Sequence, residues 1–541
     1  MRLIKRCTAA KWLPVVLVLL NSAGTPAQTT AELSDSNTLQ QRMAWWKDAR
    51  FGMFLHWGVY AGLGGVWNGT DYGKEMGDAS SEWIFLTAAI QKQAYRKYAE
   101  KFNPKNFDPS AWVNYAKQAG MKYMVLTAKH HDGFALFDTK YSNWNVLQAS
   151  PYKKDIIRAY VNACHQAGMR VGLYFSHEKD WYHSKKVRHN AEPLQQSYIE
   201  LVRKQLTELL TNYGKIDLIW FDMGINAHEN LNLMCRDIVR KLQPDCIISG
   251  RIGSGLGDYR NLGDRELAPP GMNGFVESIM TLRLNWAYDN NDANWKSSTE
   301  VIKMISKTAC RNSNFLLNIG PQPDGDFTPE EKIRLANIGA WMKNNGDAIY
   351  ATQGAPFKGE YPWGSLTTAG NKVYLHLFGD IPKTLRFPAL RSKVDAAQML
   401  SSGQAVAFEQ ADEHSSLTIH LDSMISNSVV PIIALTLDSV ANFDLAKGPD
   451  WLPPIERHQT RKQISGVVEN MNGSGFDLKA TDTTMHFSLN ENIEYRLQKG
   501  TTIEITNGFN LIAGKPYTVV YEPGLSNVLK IILSKNPARH R

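Results

Sequence analysis

The chain has 541 residues, too many for one ordinary domain and enough for two or three. Hydrophobic residues make up 43% and charged residues 21%, the balance of a globular protein. The net charge of +8 is mild for this length, and no internal Lys/Arg block marks a nucleic-acid module.

The N-terminus reads as an address. Arg2, Lys5, Arg6 and Lys11 lead into the apolar run Trp12–Leu20, and small residues follow from Ser22 to Ala27. This pattern predicts a signal peptide over residues 1–28 and an exported, periplasmic or secreted protein. The run is too short for a comfortable membrane span, and no other stretch could make one. Removal of the signal takes Cys7 and leaves Cys164, Cys235, Cys246 and Cys310 without a close Cys-x-x-Cys pair. Buried free thiols are expected rather than a disulfide framework or a zinc site.

From Phe51 to about Tyr350, short apolar runs alternate with amphipathic stretches. The runs are Gly52–Leu55, Tyr123–Thr127, Val171–Phe175, Leu218–Phe221, Cys246–Ser249, Val276–Met280 and Phe315–Ile319. Helix-like segments separate most of them, and Gly120, Gly168 and Gly214 stand where helices should stop. Repeated strand–helix–strand units imply a parallel sheet, and this many in one series predict an α/β fold of the (β/α)8 barrel type over residues 36–350. After Ala351 the texture changes to short strand-like runs broken by Gly, Pro, Ser and Asp. These predict a β-sandwich over 351–445 and a further β-rich segment over 446–541.

In parallel barrels the chemistry gathers at the C-terminal strand ends. Those ends offer His56 and Trp57; Lys129, His130, His131 and Asp132; His177, Glu178 and Asp180; Asp222; Arg251; and Asn318. Glu266 and Glu277 belong to the sixth region. Any one polar residue after a strand is usually a cap or turn, so the set carries the argument. Two carboxylates in a cleft suit glycoside hydrolysis. The 15 Trp, 21 Tyr and 20 Phe could stack on the apolar faces of sugar rings, although large cores also need aromatics. Asp222 ends the buried run Leu-Ile-Trp-Phe, where little freedom remains, as a nucleophile requires. Consecutive strand residues point to opposite faces, so His130 and His131 should not share one metal ion unless His131 lies in the loop. Hydrogen bonding to sugar hydroxyls is the better reading of these histidines.

Five motifs now stand in order: Phe-Leu-His56-Trp57-Gly58-Val-Tyr, Ser81-Glu82-Trp83, Ala-Lys129-His130-His131-Asp132-Gly133-Phe134, Leu-Ile-Trp220-Phe221-Asp222 and Leu-Leu-Asn318-Ile-Gly-Pro. Together they resemble the retaining α-L-fucosidases of glycoside hydrolase family 29, over roughly Trp45 to Tyr350. The resemblance implies an exo-acting enzyme that removes terminal α-L-fucose from glycans by double displacement, with no metal or organic cofactor. Asp222 would be the nucleophile. His56, Glu82, Trp83, His130 and His131 would hold fucose, with Trp220 beside the nucleophile, Arg251 after the next strand, and Trp286 on the methyl face. The acid/base region departs from the family pattern: Gly274-Phe275-Val276-Glu277 stands for its Trp-Glu, and Asn285-Trp286-Ala287-Tyr288 for Ser-Trp-Gly-Tyr. Two glutamates compete. Glu266 lies in a loop able to overhang the scissile oxygen; Glu277 starts an apolar run. Glu266 is preferred, Glu277 is then a substrate-binding residue, and Asp264 is a third choice. A related exo-glycosidase of sulfated fucans and a non-catalytic fucose-binding homologue are the alternatives, and the sequence leaves oligomeric state open.

Overall fold

The computed structural model describes residues 30–75, 81–184, 192–411, 416–421 and 429–449, and the main chain of seven strands between Lys462 and Leu533. The predicted signal segment and Cys7 lie outside the described residues. Arg42–Arg541 form one compact unit.

Eight strands build the first sheet: β1 (Phe51–Leu55), β2 (Tyr123–Lys129), β3 (Arg170–Ser176), β4 (Leu218–Asp222), β5 (Ile247–Ile248), β6 (Arg260–Asn261), β7 (Val276–Thr281) and β8 (Ser313–Ile319). Their order is 5-4-3-2-1-8-7-6, and every pairing is parallel. That order is a closed ring with one seam, between β5 and β6. The seam is bridged in part by the Asp258 N–H, which donates to the Ile248 carbonyl at 2.8 Å.

Six helices follow the strands: α1 (Pro109–Gln118), α2 (Ile156–Gln166), α3 (Gln196–Asn212), α4 (Glu229–Leu242), α5 (Ser298–Cys310) and α6 (Pro329–Asn345). Local chemistry sets their ends. Asp108 accepts from the N–H groups of Ser110 and Ala111, and Pro109 takes the first helical position of α1. Ser297 with Glu300, and Thr328 with Glu331, form reciprocal capping boxes at α5 and α6. Gly120 and Gly168 take φ of 89° and 66° after α1 and α2, a conformation a Cβ would penalise, and turn the chain into the next strand. No α-helix follows β5 or β6. The chain there makes only the short turn Gly250–Ile252 and an extended loop, so two of the expected strand–helix units are bare. Strand β6 escaped the sequence reading because it is two polar residues long.

All residues of β1, β2, β4, β7 and β8 are buried. Register stacks the inward side chains in layers, as barrel geometry demands. Tyr123, Asn261 and Glu277 lie low, Phe54, Tyr174 and Trp220 above them, and His56 and Asp222 at the upper rim. The four cysteines left after the predicted cleavage are free and buried.

The antiparallel region begins at β9 (Gln353–Gly354), with β10 (Gly364–Ala369), β11 (Lys372–Leu377), β12 (Thr384–Phe387), β13 (Val394–Met399), β14 (Phe408–Gln410), β15 (Leu417–His420) and β16 (Ile432–Leu437). They form a five-stranded sheet, 9-10-11-16-13, and a three-stranded sheet, 12-15-14. Leu366, Leu375, Phe387, Leu417, Ile419 and Leu435 share the core between them. The last seven strands form a separate sheet with one parallel pairing, Glu494–Lys499 with Val528–Leu533. No helix among the described residues is long and apolar enough to cross a membrane.

Candidate active site

A pocket opens at the C-terminal rim of the barrel, lined by Phe54, His56, Glu82, Trp83, His130, His131, Trp220, Asp222, Met223, Arg251, Asp264, Ile279 and Trp286. Nine of the eleven residues singled out from the sequence meet here. Glu266 and Glu277 are not among the lining residues.

Asp222 ends β4 and is held from three directions. Its Oδ2 accepts the Tyr174 hydroxyl at 2.9 Å, and its Oδ1 accepts the Met223 N–H at 2.9 Å and Arg251 Nη1 at 3.3 Å. His131 Nε2 lies 3.5 Å from Oδ2. Burial pushes the carboxyl up, but His131, Arg251 and Tyr174 together outweigh it and hold Asp222 well below the usual carboxylate range. Asp222 is therefore ionised and fixed. Met223 takes a φ of 63° to turn its N–H back onto that carboxylate, a left-handed conformation costing about 1–3 kcal/mol in a non-glycine residue.

Two histidines are kept neutral. His56 Nδ1 lies 2.6 Å from Asn318 Oδ1, and Asn318 Nδ2 donates to the Trp286 carbonyl at 2.6 Å. That second bond fixes the amide, so Oδ1 must accept and His56 Nδ1 must carry the proton. Burial lowers His56 to about 4, which leaves Nε2 a bare acceptor. Burial, with His131 and His56 nearby, lowers His130 well below its ordinary value. Its Nδ1 is buried without a hydrogen-bond partner among the described residues. Such an atom awaits a hydroxyl. Both His130 and His131 line the pocket because β2 ends at Lys129, after a register shift, and the chain leaves the strand before the histidines. The strand-alternation objection to their meeting does not apply there.

Aromatics form the walls. Tyr174 stacks between His130, at 5.2 Å and 15°, and Trp220, at 5.6 Å and 16°. Trp286 packs 5.1 Å from His56, and Trp83 stands edge-on to His131 at 5.5 Å. The Ser81–Trp83 turn is anchored from across the pocket: Ser81 N–H donates to Asn285 Oδ1 at 3.0 Å, and Ala287 N–H donates to Glu82 Oε2 at 3.4 Å. Glu82 is almost wholly buried, and burial raises its carboxyl to about 7.

The remaining glutamates take different places. Glu277 is the second residue of β7, paired with Asn261 and Asn314 at the lower end of the barrel. It accepts Trp220 Nε1 at 2.9 Å, Asn261 Nδ2 at 2.8 Å and the Tyr123 hydroxyl at 3.2 Å. Its carboxylate thus lies under the pocket floor. Glu266 turns its carboxylate onto the Gly263 N–H at 2.9 Å, while Asp264 from the same loop enters the pocket and pairs with Arg251. The sequence reading missed Tyr174, Phe54 and Met223. Tyr174 carried a usable signal: it lies two residues before the end of its strand, in register with Trp220.

An ionised, clamped carboxylate in a pocket of imidazoles and indoles, at the upper rim of a parallel barrel, defines a carbohydrate-active hydrolase. The chain belongs to the α-L-fucosidase family of glycoside hydrolases: the family model for alpha-L-fucosidase matches residues 18–347, more than half its length. Plasma alpha-L-fucosidase of Homo sapiens is 29% identical over 342 residues, covering 59% of this chain and 71% of that protein. Among solved structures, alpha-L-fucosidase isoenzyme 1 from Paenibacillus thiaminolyticus is 31% identical with a TM-score of 0.66, over 74% of this chain and 100% of that one. A family 29 alpha-L-fucosidase from Bacteroides thetaiotaomicron, trapped as a covalent intermediate with 2-fluoro-fucosyl fluoride, is 29% identical with a TM-score of 0.67, over 74% of this chain and 96% of that one.

Proposed function

We propose that this chain is an exo-acting α-L-fucosidase that releases terminal α-L-fucose from glycans or oligosaccharides with retention of configuration. The state of Asp222 carries the reading: charged, held by three donors and facing a pocket of neutral imidazoles. Asp222 attacks the anomeric carbon while an acid protonates the leaving oxygen. Water then cleaves the fucosyl ester with the same acid, now deprotonated, as base. His56, His130 and Glu82 hold the sugar hydroxyls, and Trp286 meets the methyl face. The chemistry requires no cofactor.

Glu266 is the proposed acid. Its loop sends Asp264, two residues earlier, into the pocket beside Arg251, which brings Glu266 near the leaving-group side of Asp222. A second reading gives the proton to Glu82, on the strength of a buried pocket carboxyl raised to about 7, the range in which a general acid works near neutral pH. The proposed setting is outside the cytoplasm, on the reading of residues 1–28 as an export signal.

Asp222→Ala tests the assignment. Hydrolysis of an aryl fucoside should fall by roughly three orders of magnitude or more, and azide should restore turnover with the inverted fucosyl azide as product. Unchanged turnover overturns the nucleophile. A panel of fucosylated oligosaccharides beside sulfated fucan decides the substrate; release only from the sulfated polymer overturns the oligosaccharide reading.

A further inference from the structure

Behind the fucose pocket, on the far side of Trp181, three side chains stand in a second chemical arrangement. Ser142 Oγ lies 2.6 Å from His183 Nε2, and His183 Nδ1 lies 2.9 Å from Asp180 Oδ2. None of the three lines the fucose pocket. Proton positions follow from the partners. A carboxylate can only accept, so His183 Nδ1 donates to Asp180, and in the neutral imidazole this tautomer leaves Nε2 to accept the Ser142 hydroxyl. Nucleophile, base and orienting acid are each on the correct ring nitrogen.

The orienting group is well built. Asp180 is fully buried, and its Oδ1 accepts the N–H groups of Tyr182 at 3.0 Å and His183 at 2.8 Å. Buried Lys129 reaches Oδ2 at 3.3 Å. Burial pushes Asp180 up, and His183 and Lys129 more than reverse it, so the carboxylate stays charged. At the other end, the Trp144 N–H donates to Ser142 Oγ at 3.0 Å, which favours the alkoxide and leaves one lone pair for attack. Ser142 is half-buried and His183 keeps 17% of its side chain exposed, so a small molecule can reach the pair.

We propose that Ser142, His183 and Asp180 form a second hydrolytic site, acting on short-chain carboxylic esters. Ser142 Oγ bonds to the ester carbonyl carbon as its proton passes to His183 Nε2. The carbon–alkoxy bond then breaks, and the alcohol leaves with that proton. Water, deprotonated by the same nitrogen, hydrolyses the acyl-serine and returns the hydroxyl. The N–H of Asn143, directly after the nucleophile on an exposed turn, is assigned to the oxyanion. Exposed Tyr141, with Lys204 5.0 Å from its ring, borders the serine and offers a face to the alcohol portion.

The test uses the purified full chain, p-nitrophenyl acetate and a fluorophosphonate probe. Ester turnover should be saturable, and the probe should attach to the Ser142 peptide by mass spectrometry. Ser142→Ala should lose ester turnover at least 100-fold and lose labelling, while aryl-fucoside hydrolysis stays at the native value and reports that the fold is intact. His183→Gln should lower ester turnover in the same way. Failure of the native protein to label at Ser142 overturns the proposal without any variant, and so does full ester turnover by Ser142→Ala.

Discussion

The indole N–H of Trp220 donates to Glu277 Oε2 at 2.9 Å, joining the residue two positions before the nucleophile to a carboxyl beneath the pocket floor. Through that bond Glu277 orients the wall on which Asp222 stands, without touching the pocket itself. Its carboxyl is fully buried, and burial raises it to about 7 despite the hydrogen bonds from Trp220, Tyr123 and Asn261.

Glu277→Gln should therefore become a relatively better-folded protein as pH rises. A carboxyl raised from 4.5 to about 7 contributes stability that is complete below 4.5 and is lost as pH climbs through 7. The shift corresponds to about 3 kcal/mol, to order of magnitude. Glutamine retains the shape and an oxygen for Trp220 and Asn261, and its amide can donate to the Tyr123 hydroxyl. Urea denaturation at pH 5 and pH 8 should show the variant gaining on the native chain at the higher pH. An equal difference at both would remove the buried charge from the account.

The acid is separable from the sugar-holding carboxyl by leaving-group dependence. Glu266→Gln should lower kcat/KM on a natural fucoside by roughly 10²–10⁴-fold and spare a dinitrophenyl fucoside, whose departure needs no proton. Glu82→Gln should weaken both substrates alike, because it removes a contact to the sugar. The opposite split would transfer the acid role to Glu82.

Glu277 and Glu266 show how far the sequence could be read. The barrel was legible because seven apolar runs and the glycines after its helices repeat in one order; His56, His130, His131, Asp222 and Arg251 were legible because strand ends face one rim, whereas Glu82, Trp83, Trp220 and Trp286 were reached only through the family resemblance. Glu277 was ambiguous only while direction along the strand was ignored. It starts its apolar run, and in a parallel barrel the start of a strand is the lower end, opposite the pocket. By contrast, β6 gave no signal, since two polar residues have neither periodicity nor bulk. Whether Asp264 or Glu266 enters the pocket depends on the path of an extended loop with no helix to set it, and composition does not encode that path.

Tyr174→Phe should move the acidic limb of the pH–rate profile upward. The hydroxyl donates to Asp222 Oδ2 and helps to hold that carboxyl down, after His131 and Arg251. Its loss makes Asp222 easier to protonate, so activity should fail at a higher pH than in the native chain. A hydrogen bond to a charged group contributes about 1.5–3 kcal/mol, so kcat/KM at neutral pH should fall by roughly 10–100-fold. The ring remains to stack on His130 and Trp220, and the fold should hold. An unmoved acidic limb would show that His131 and Arg251 suffice.

Glu360→Ala should weaken the joint between the barrel and the antiparallel region. Arg311, just after α5, meets Glu360 in a two-pronged pair, Nε to Oε1 at 2.7 Å and Nη2 to Oε2 at 2.9 Å, and its Nη1 reaches the Ala268 carbonyl at 3.1 Å. Both partners are buried, so truncating the glutamate takes the bidentate carboxylate from a guanidinium that stays out of water, at about 3–5 kcal/mol. The Ala268 contact ties this joint to the loop that carries Asp264 and Glu266. Loss of the pair should therefore lower thermal stability and also raise KM for an aryl fucoside, through poorer placement of that loop. Glu360→Gln, which keeps one oxygen for Arg311, should recover part of both. A stability loss with unchanged KM would confine the pair to holding the two regions together.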